Sequence, residues 1–350
     1  MLLIGENNGA SVYLGEAEGM NRHVVIFGKS GSGKTVGQLA LCARILENGG
    51  TVFALDLHGA LSAQNVYAPL RDKVMSNAHV IDAYQNGIPA NLFAPAIFED
   101  GVTEREEDTA AAVCDVIVKS IALGSNQRVA LRKAAKYVIE HNLYEKQGLQ
   151  ALDEGLRIQD TEVAIHVADK LEPLIGRRVF IPGADAELVH PHEMNIVRLG
   201  KFDDATQTLV SELLLAYIWR RVLSGELRNI YIVIDEFQNI GLAKHSALEK
   251  FLVEGRKYGI GLLLATQGLG ISFTNSQQRL LLQAGIQLYF KPGENEIRDV
   301  ARILGANDIA SYAMLLHRLK IGECVAMGPI QVGEKGHLTT GRPTVVTITI

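Results

Sequence analysis

Cysteine is scarce in this chain. Only Cys42, Cys114 and Cys324 occur in 350 residues, and they lie far apart. No Cys-x-x-Cys pair exists, so neither a zinc ribbon nor a disulfide framework is supported. So few thiols suit a reducing compartment such as the cytosol. Long apolar runs are missing too. The richest, Leu213 to Trp219, is followed at once by Arg220 and Arg221 and falls well short of the ~18 residues of a membrane span. The start, Met1-Leu2-Leu3-Ile4-Gly5-Glu6, has no basic residues and too short an apolar stretch for a secretory leader. A soluble, cytoplasmic chain is expected, while an anchor or barrel outside this sequence stays open. There is no excess of positive charge: 34 Lys and Arg face 39 Asp and Glu, for a net charge of −5. With pI ≈ 6.1, a globally basic nucleic-acid binder is excluded, although a local basic channel is not. The absence of repeats and low-complexity tracts excludes collagen, coiled coil and wholesale disorder.

What remains is an ordinary globular composition, 47% hydrophobic and 21% charged. At ~150 residues per domain the length suits two domains, or one large α/β domain with an insertion. Short apolar runs at His23 to Phe27, Thr51 to Leu55, His79 to Asp82, Asn195 to Leu199, Ile230 to Ile234, Ile260 to Ala265, Gln287 to Phe290, Cys324 to Met327 and Val345 to Ile350 read as strands. A single short strand, Ser11 to Leu14, is expected before them. Helical patterns alternate with these runs, at Lys34 to Glu47, Ala205 to Leu223, Leu248 to Tyr258, Glu294 to Leu304 and Asp308 to Leu319. Near-continuous apolar strands between helices predict a mainly parallel sheet covered on both faces. From Thr103 to Pro173 the pattern is helical only, with Glu104, Glu106, Glu107 and Asp108 crowding the first helix start as dipole partners. The expected organisation is therefore a core from 1 to 100, a helical insertion subdomain from 101 to 190, and the rest of the core from 191 to 350.

Between the first core strand and the first long helix stands Gly28-Lys29-Ser30-Gly31-Ser32-Gly33-Lys34-Thr35. This fits G-x-x-x-x-G-K-[ST] in its required strand–loop–helix context. The glycines let successive N–H groups point inward at phosphate oxygens, and the helix N-terminus adds its positive dipole end. Lys34 is expected to reach the β- and γ-phosphates, and the Thr35 hydroxyl to ligate magnesium. Residues 28 to 35, with Val36, form the candidate nucleotide site, for ATP with Mg2+.

Tyr231-Ile232-Val233-Ile234-Asp235-Glu236 supplies the second half. Asp235, at the end of a buried strand, is expected to hold magnesium through water. Glu236 follows as the candidate general base for the attacking water. Strand alternation would turn the two carboxylates to opposite sides. Gln267, in Ala265-Thr266-Gln267, sits at the end of the next strand and can sense the γ-phosphate or orient the water. Arg256, in Glu254-Gly255-Arg256-Lys257, is the candidate for a cation entering a neighbour's site in a closed ring; its plain reading is a helix-end cation. Arg279 and Arg298 are alternatives. Asp56-Leu57-His58-Gly59 is placed by its pattern to line the nucleotide site or contact a neighbour, and His58 is at least as readily structural.

Taken together, these residues resemble the HerA/FtsK superfamily of ring-forming P-loop ATPases, which includes conjugation coupling ATPases and type IV secretion ATPases. The resemblance rests on Phe27 to Thr35, Leu55-Asp56-Leu57-His58-Gly59, Ile232 to Gln238, and Gly255 to Gly261 leading to Ala265-Thr266-Gln267, with Ala90-Asn91-Leu92 resembling an asparagine-containing loop before the insertion. It implies a RecA-like core, a hexameric ring, Mg-ATP hydrolysis between subunits and movement of double-stranded DNA through the pore. Lys34, Thr35, Asp235, Glu236 and Gln267 match at motif positions, Arg256 more loosely. Gly268-Leu269 stands where many members carry arginine and proline, and neither an N-terminal β-barrel nor membrane helices are legible.

Arg128, Arg132 and Lys136 share a helix face that could meet phosphates, with Lys133 beside them; the plainer reading is a solvated face balancing Glu140 and Glu145. The loop Gly268 to Gln278 is a second pore candidate. With no base-reading motif, any DNA binding should be sequence-tolerant. Three activities fit: a DNA-translocating ATPase driving a partner nuclease or transfer machine, a secretion ATPase that energises protein export, and a nucleotide-dependent assembly switch.

Overall fold

The computed structural model describes residues 1–15, 21–182, 187–270, 272–334 and 336–350. The chain opens with a hairpin of β1 (Leu2–Asn7) and β2 (Ala10–Leu14). Asn8 and Gly9 turn it with φ of 49° and 82°, the left-handed pair that a two-residue hairpin needs. The single strand expected here is thus only half of the element. Then come β3 (Val24–Phe27), α1 (Lys34–Glu47), β4 (Thr51–Asp56), α2 (Ala68–Met75) and β5 (Ala78–Asp82). The helical block follows as α3 (Glu106–Ser120), α4 (Ser125–Glu140), α5 (Tyr144–Gln147), α6 (Ala151–Arg157) and α7 (Glu162–Ile175). Next are β6 (Met194–Arg198), α8 (Asp204–Leu223), β7 (Ile230–Ile234), α9 (Ala247–Glu254), β8 (Gly261–Thr266), α10 (Asn275–Leu281) and β9 (Ile286–Phe290). The chain ends with α11 (Ile297–Leu304), α12 (Ile309–Arg318), β10 (Glu323–Met327), β11 (Ile330–Val332), β12 (Leu338–Thr339) and β13 (Thr344–Ile348).

All the described strands join one sheet, in the order β12-β11-β2-β1-β13-β10-β9-β3-β8-β7-β4-β6-β5. From β9 to β5 every pair is parallel. From β12 to β9 every pair is antiparallel. The expectation of a mainly parallel sheet holds for the half that carries the site. Part of the antiparallel wing has a local cause: the paired strands β1 and β2, and β11 and β12, are joined by links of two and five residues, too short for the crossover a parallel pair requires.

Alternation along the central strands builds two cores. Val24, Ile26, Val52, Ala54, Val233 and Leu263 pack under α1 and α2 on one face. Val25, Phe27, Phe53, Leu55, Ile232 and Ile234 pack under α8, α9 and the helical block on the other. Each fully buried aliphatic chain contributes about 1.5–3 kcal/mol, which is why β3, β4, β7 and β8 read so clearly in sequence.

One acidic residue does something other than its sequence context implied. Helix α3 starts at Glu106, with Glu106, Glu107 and Asp108 in its first turn. Glu104 lies before it and turns inward to pair with Arg220 of α8. It is a buried tie between the stem of the helical block and the core, and no dipole partner. Among the described residues no helix is long and apolar enough to cross a membrane.

Candidate nucleotide site

Strand β3 ends at Phe27 and the chain turns into a loop pinned on three sides. Gly28 N–H donates to the Thr266 carbonyl (3.3 Å), Lys29 N–H to Lys291 (2.9 Å), and Gly322 N–H to Ser32 (3.1 Å). The Ser32 hydroxyl closes the loop internally on the Lys29 carbonyl at 2.7 Å. Gly31 and Gly33 sit at φ of 74° and 99°, where side-chain-bearing residues are strained. Gly33 is doubly required, since a Cβ there would come within 2.8 Å of Gly322 N. It also caps α1 without any side-chain hydrogen bond, so the first N–H groups of the helix have no side-chain partner and face the loop's hollow. The tip, Lys29 to Gly31, is exposed. Helix α1 is fixed over the sheet by buried Gln38, whose amide donates to the carbonyls of Leu263 (2.9 Å) and Ile234 (3.3 Å).

The carboxylate pair lies directly across. The Thr35 hydroxyl donates to Asp235 Oδ2 at 2.8 Å. Lys34 is buried, with Nζ 3.9 Å from Glu236 Oε1 and 3.5 Å from the Lys29 carbonyl. Gln267 Nε2 donates to Glu236 Oε1 at 3.1 Å, and Gln238 Nε2 donates to the other Glu236 oxygen. The two carboxylates do diverge, but not by strand alternation. Strand β7 ends at Ile234, and Glu236 takes a left-handed backbone with φ of 53°. A non-glycine residue there costs ~1–3 kcal/mol, and such positions cluster at functional sites. Asp235 Oδ1 stabilises the kink by accepting the Glu236 N–H at 2.9 Å.

Burial pushes the Asp235 carboxyl above its ordinary value; the neighbouring Glu236 charge adds to this, while the Thr35 hydroxyl and Lys34 ammonium pull it back. A cation arriving at these oxygens would reverse the shift. Two hard oxygen donors converging at 2.8 Å beside a left-handed glycine cradle are the donor set that Mg2+ with a phosphate chain takes. The residues present therefore fit both groups.

The other predicted residues are placed as follows. Arg256 is exposed in a short helical turn, Gly255–Tyr258, just before β8. Since β8 runs parallel to β3, Arg256 and the phosphate loop lie at opposite ends of the sheet. It does not join its own protomer's site. Arg279 and Arg298 are exposed on α10 and α11. Asp56 is spent on its own loop, accepting the N–H groups of Ala60 (2.9 Å) and Leu61 (3.1 Å). His58 pairs with Asn239 at 2.9 Å, so it touches the segment after Glu236 and not the cradle. Asn91 holds the Tyr144 carbonyl at 3.0 Å.

The basic stripe is largely engaged. Arg132 meets Asp115 at 3.0 Å, Lys136 meets Glu107 and Glu140 at 3.5 Å each, and Arg128 donates to the Leu123 carbonyl at 3.0 Å. The loop expected over Gly268 to Gln278 becomes helix α10 from Asn275, with Ile271 outside the described residues. Glu296 fills the space beside Gly268, where a Cβ would sit 2.8 Å from its carboxylate, and accepts the Gly270 N–H at 2.8 Å. This is why glycine, and no bulkier residue, follows Gln267. The sequence assigns no role to Gln38 or Gln238; Gln238 stands there only as the end of the Ile232 to Gln238 run.

Residues 2–218 match the family model "Helicase HerA, central domain". A DNA double-strand break repair helicase HerA from Sulfolobus acidocaldarius is 22% identical over 287 residues, covering 76% of this chain. The chain spans about half, 54%, of that relative's length. Among solved structures, VirB4 of Thermoanaerobacter pseudethanolicus superposes with a TM-score of 0.74 at 15% identity, covering 100% of this chain and 96% of that one. The plasmid coupling protein TrwB, solved with ADP and Mg2+, gives 0.64 at 15% identity, covering 95% and 87%. These likenesses establish the RecA-like P-loop fold, and the match to the family model over most of its length establishes that the chain belongs to the HerA helicase central-domain family.

Proposed function

We propose that the chain is a ring-forming ATPase that couples Mg-ATP hydrolysis to movement of double-stranded DNA. The observation that carries this reading is the convergence of Lys34, Thr35, Asp235, Glu236 and Gln267 on one phosphate cradle. The backbone N–H groups of residues 28 to 36 bind the phosphate chain, and Lys34 neutralises the β- and γ-oxygens. Thr35 and Asp235 would hold magnesium, which supplies positive charge against the transferring phosphoryl group. Glu236 takes the proton of the attacking water. Gln267 and Gln238, both bonded to its carboxylate, orient it toward that water.

The exposed tip of the loop and the remote position of Arg256 favour a site completed by a neighbour. In a heterologous ring, the face bearing Arg256 on one protomer can meet the open cradle of the next. A hexamer is the proposed closure. Residues 101–190 would form an insertion subdomain packed on the face of the sheet opposite α1. The protein would work in the cytoplasm, serving a partner nuclease or a transfer machine. One observation favours a second reading, an ATPase energising protein export without DNA: the chain is acidic and the α4 stripe is mostly paired.

Phosphate release with and without long duplex DNA at ~50 mM salt separates the two readings. Several-fold stimulation that collapses as salt rises is the expected result. Turnover indifferent to duplex DNA would remove the translocation reading and leave the export one.

A further inference from the structure

Beside the cradle stands a feature that the hydrolytic reading leaves unused. Residues 320–323 form a tight turn: Glu323 N–H donates to the Lys320 carbonyl at 3.0 Å, and Gly322 at the third position has φ of 83°. The Glu323 carboxylate accepts the Lys320 N–H at 2.9 Å. The Ile348 N–H donates to the Gly322 carbonyl at 2.9 Å, and Gly322 N–H holds the Ser32 carbonyl of the phosphate loop. The turn is thus locked to the sheet on one side and to the cradle on the other. At its tip is Ile321, which is 81% exposed. Turn tips favour polar residues or glycine, and this isoleucine buries almost nothing within its own chain. An isolated exposed aliphatic residue carries no meaning by itself. Here its place supplies one: Ile321 Cγ2 lies 3.7 Å from where a Cβ on Gly33 would stand, at the first turn of α1.

We infer that this turn is the shelf on which the nucleoside of the bound nucleotide rests, with Ile321 packing against its sugar and purine ring. The inference rests on the cradle being a nucleoside triphosphate site. The cradle's polar groups take the phosphates, so the nucleoside must leave past the start of α1. Val36, half-buried in the first turn of α1, and Ile321, beside Gly33, offer apolar surface at that start. Ligand sites of this kind place apolar side chains against rings and spend their few polar groups on orientation. The exposed Lys320 ammonium beside the shelf suits an anionic ligand. The turn's backbone also bears on selectivity. The N–H and carbonyl groups of Gly322 and Lys320 are already paired within the protein, so the shelf has few groups left to read a base edge. It selects for a ring system and discriminates poorly between adenine and guanine.

The test is equilibrium binding by calorimetry on the full chain with Mg2+, using ATP, GTP and inorganic tripolyphosphate. For Ile321→Ala, the dissociation constants of ATP and GTP should rise roughly five- to twentyfold, while that of tripolyphosphate stays within about twofold. Ile321→Leu should bind ATP like the parent, which shows that apolar contact is what matters. Unchanged ATP affinity in Ile321→Ala, an equal loss for tripolyphosphate, or a loss accompanied by a smaller assembly mass would overturn the inference. So would a parent chain that prefers ATP to GTP by two orders of magnitude. A parent that binds tripolyphosphate but gains nothing from the nucleoside defeats the shelf alone; a parent that binds neither defeats the nucleotide reading beneath it.

Discussion

Glu236→Gln should bind Mg-ATP at least as tightly as the parent and release phosphate at least about a hundredfold more slowly. The substitution keeps the side-chain shape: its amide oxygen still accepts from one of the two glutamines that hold the carboxylate, and its NH2 donates to the other once that amide turns over. It removes a carboxylate beside Lys34 that can accept a proton from water, whereas its neighbour Asp235 is committed to Thr35. It also removes a negative charge from beside the incoming γ-phosphate, so affinity should rise if it moves at all. Nucleotide binding and single-turnover phosphate release, measured on the same preparation, give both halves. Hydrolysis at the parent rate would take the base role away from Glu236. Loss of binding together with hydrolysis would mean that the residue holds the site's shape.

The second large effect is on stability. Arg220 is buried and makes a dense set of bonds: Nε to both Glu104 oxygens at 3.0 Å, Nη1 to the Leu92 carbonyl at 2.7 Å, and Nη2 to Ala94 at 2.8 Å. Glu104 in turn accepts the Ala96 N–H at 3.1 Å and the Thr109 hydroxyl at 3.0 Å. Arg220→Leu strands the Glu104 carboxylate and two carbonyls, so a loss of about 3–5 kcal/mol is expected near neutral pH. For a chain of this size that lowers the thermal midpoint by about 4–7 °C.

The pH dependence follows from Glu104. Burial pushes its carboxyl up, but the hydrogen bonds and charge of Arg220 outweigh this and leave it below the ordinary value. In the parent, the pair's contribution is fully present above the unfolded carboxyl's value of ~4.3 and is lost as pH falls through the lower folded value. The variant's deficit should therefore be largest near pH 7 and shrink on acidification, when the stranded carboxyl takes up a proton. Adding Glu104→Leu should recover much of the loss. Thermal unfolding across pH checks this; a single variant as stable as the parent at pH 7 would refute it.

How far the sequence can be read follows the range of the interactions involved. The phosphate loop and helix α1 are legible because glycine conformation, helix capping and the lysine–threonine spacing all act within a few residues. Strand β7 and its terminal Asp235-Glu236 are legible because a fully buried parallel strand must be apolar throughout. The antiparallel wing is less so: β13 has one buried residue in five and β12 none, so neither carries a strong pattern. Glu104 looked like a dipole partner because its mate, Arg220, is 116 residues away. The Lys320–Glu323 turn is invisible as part of the site until the sheet order carries β10 to within reach of Ser32. Arg256 shows the same limit in reverse: its motif is readable, but only the parallel run of β3 and β8 reveals that it lies at the far end of the sheet.

The account stands on a nucleoside triphosphate held between the phosphate loop and the Asp235-Glu236 corner. A crystal structure of Glu236→Gln soaked with ATP and magnesium tests this most directly. The expected result is a γ-phosphate within hydrogen-bonding reach of Lys34 Nζ, a metal on Thr35 whose hydroxyl has released Asp235, and residue 236 facing the phosphate across one water. A nucleotide bound elsewhere, or an empty loop with the Thr35–Asp235 bond intact at saturating ATP, would contradict it.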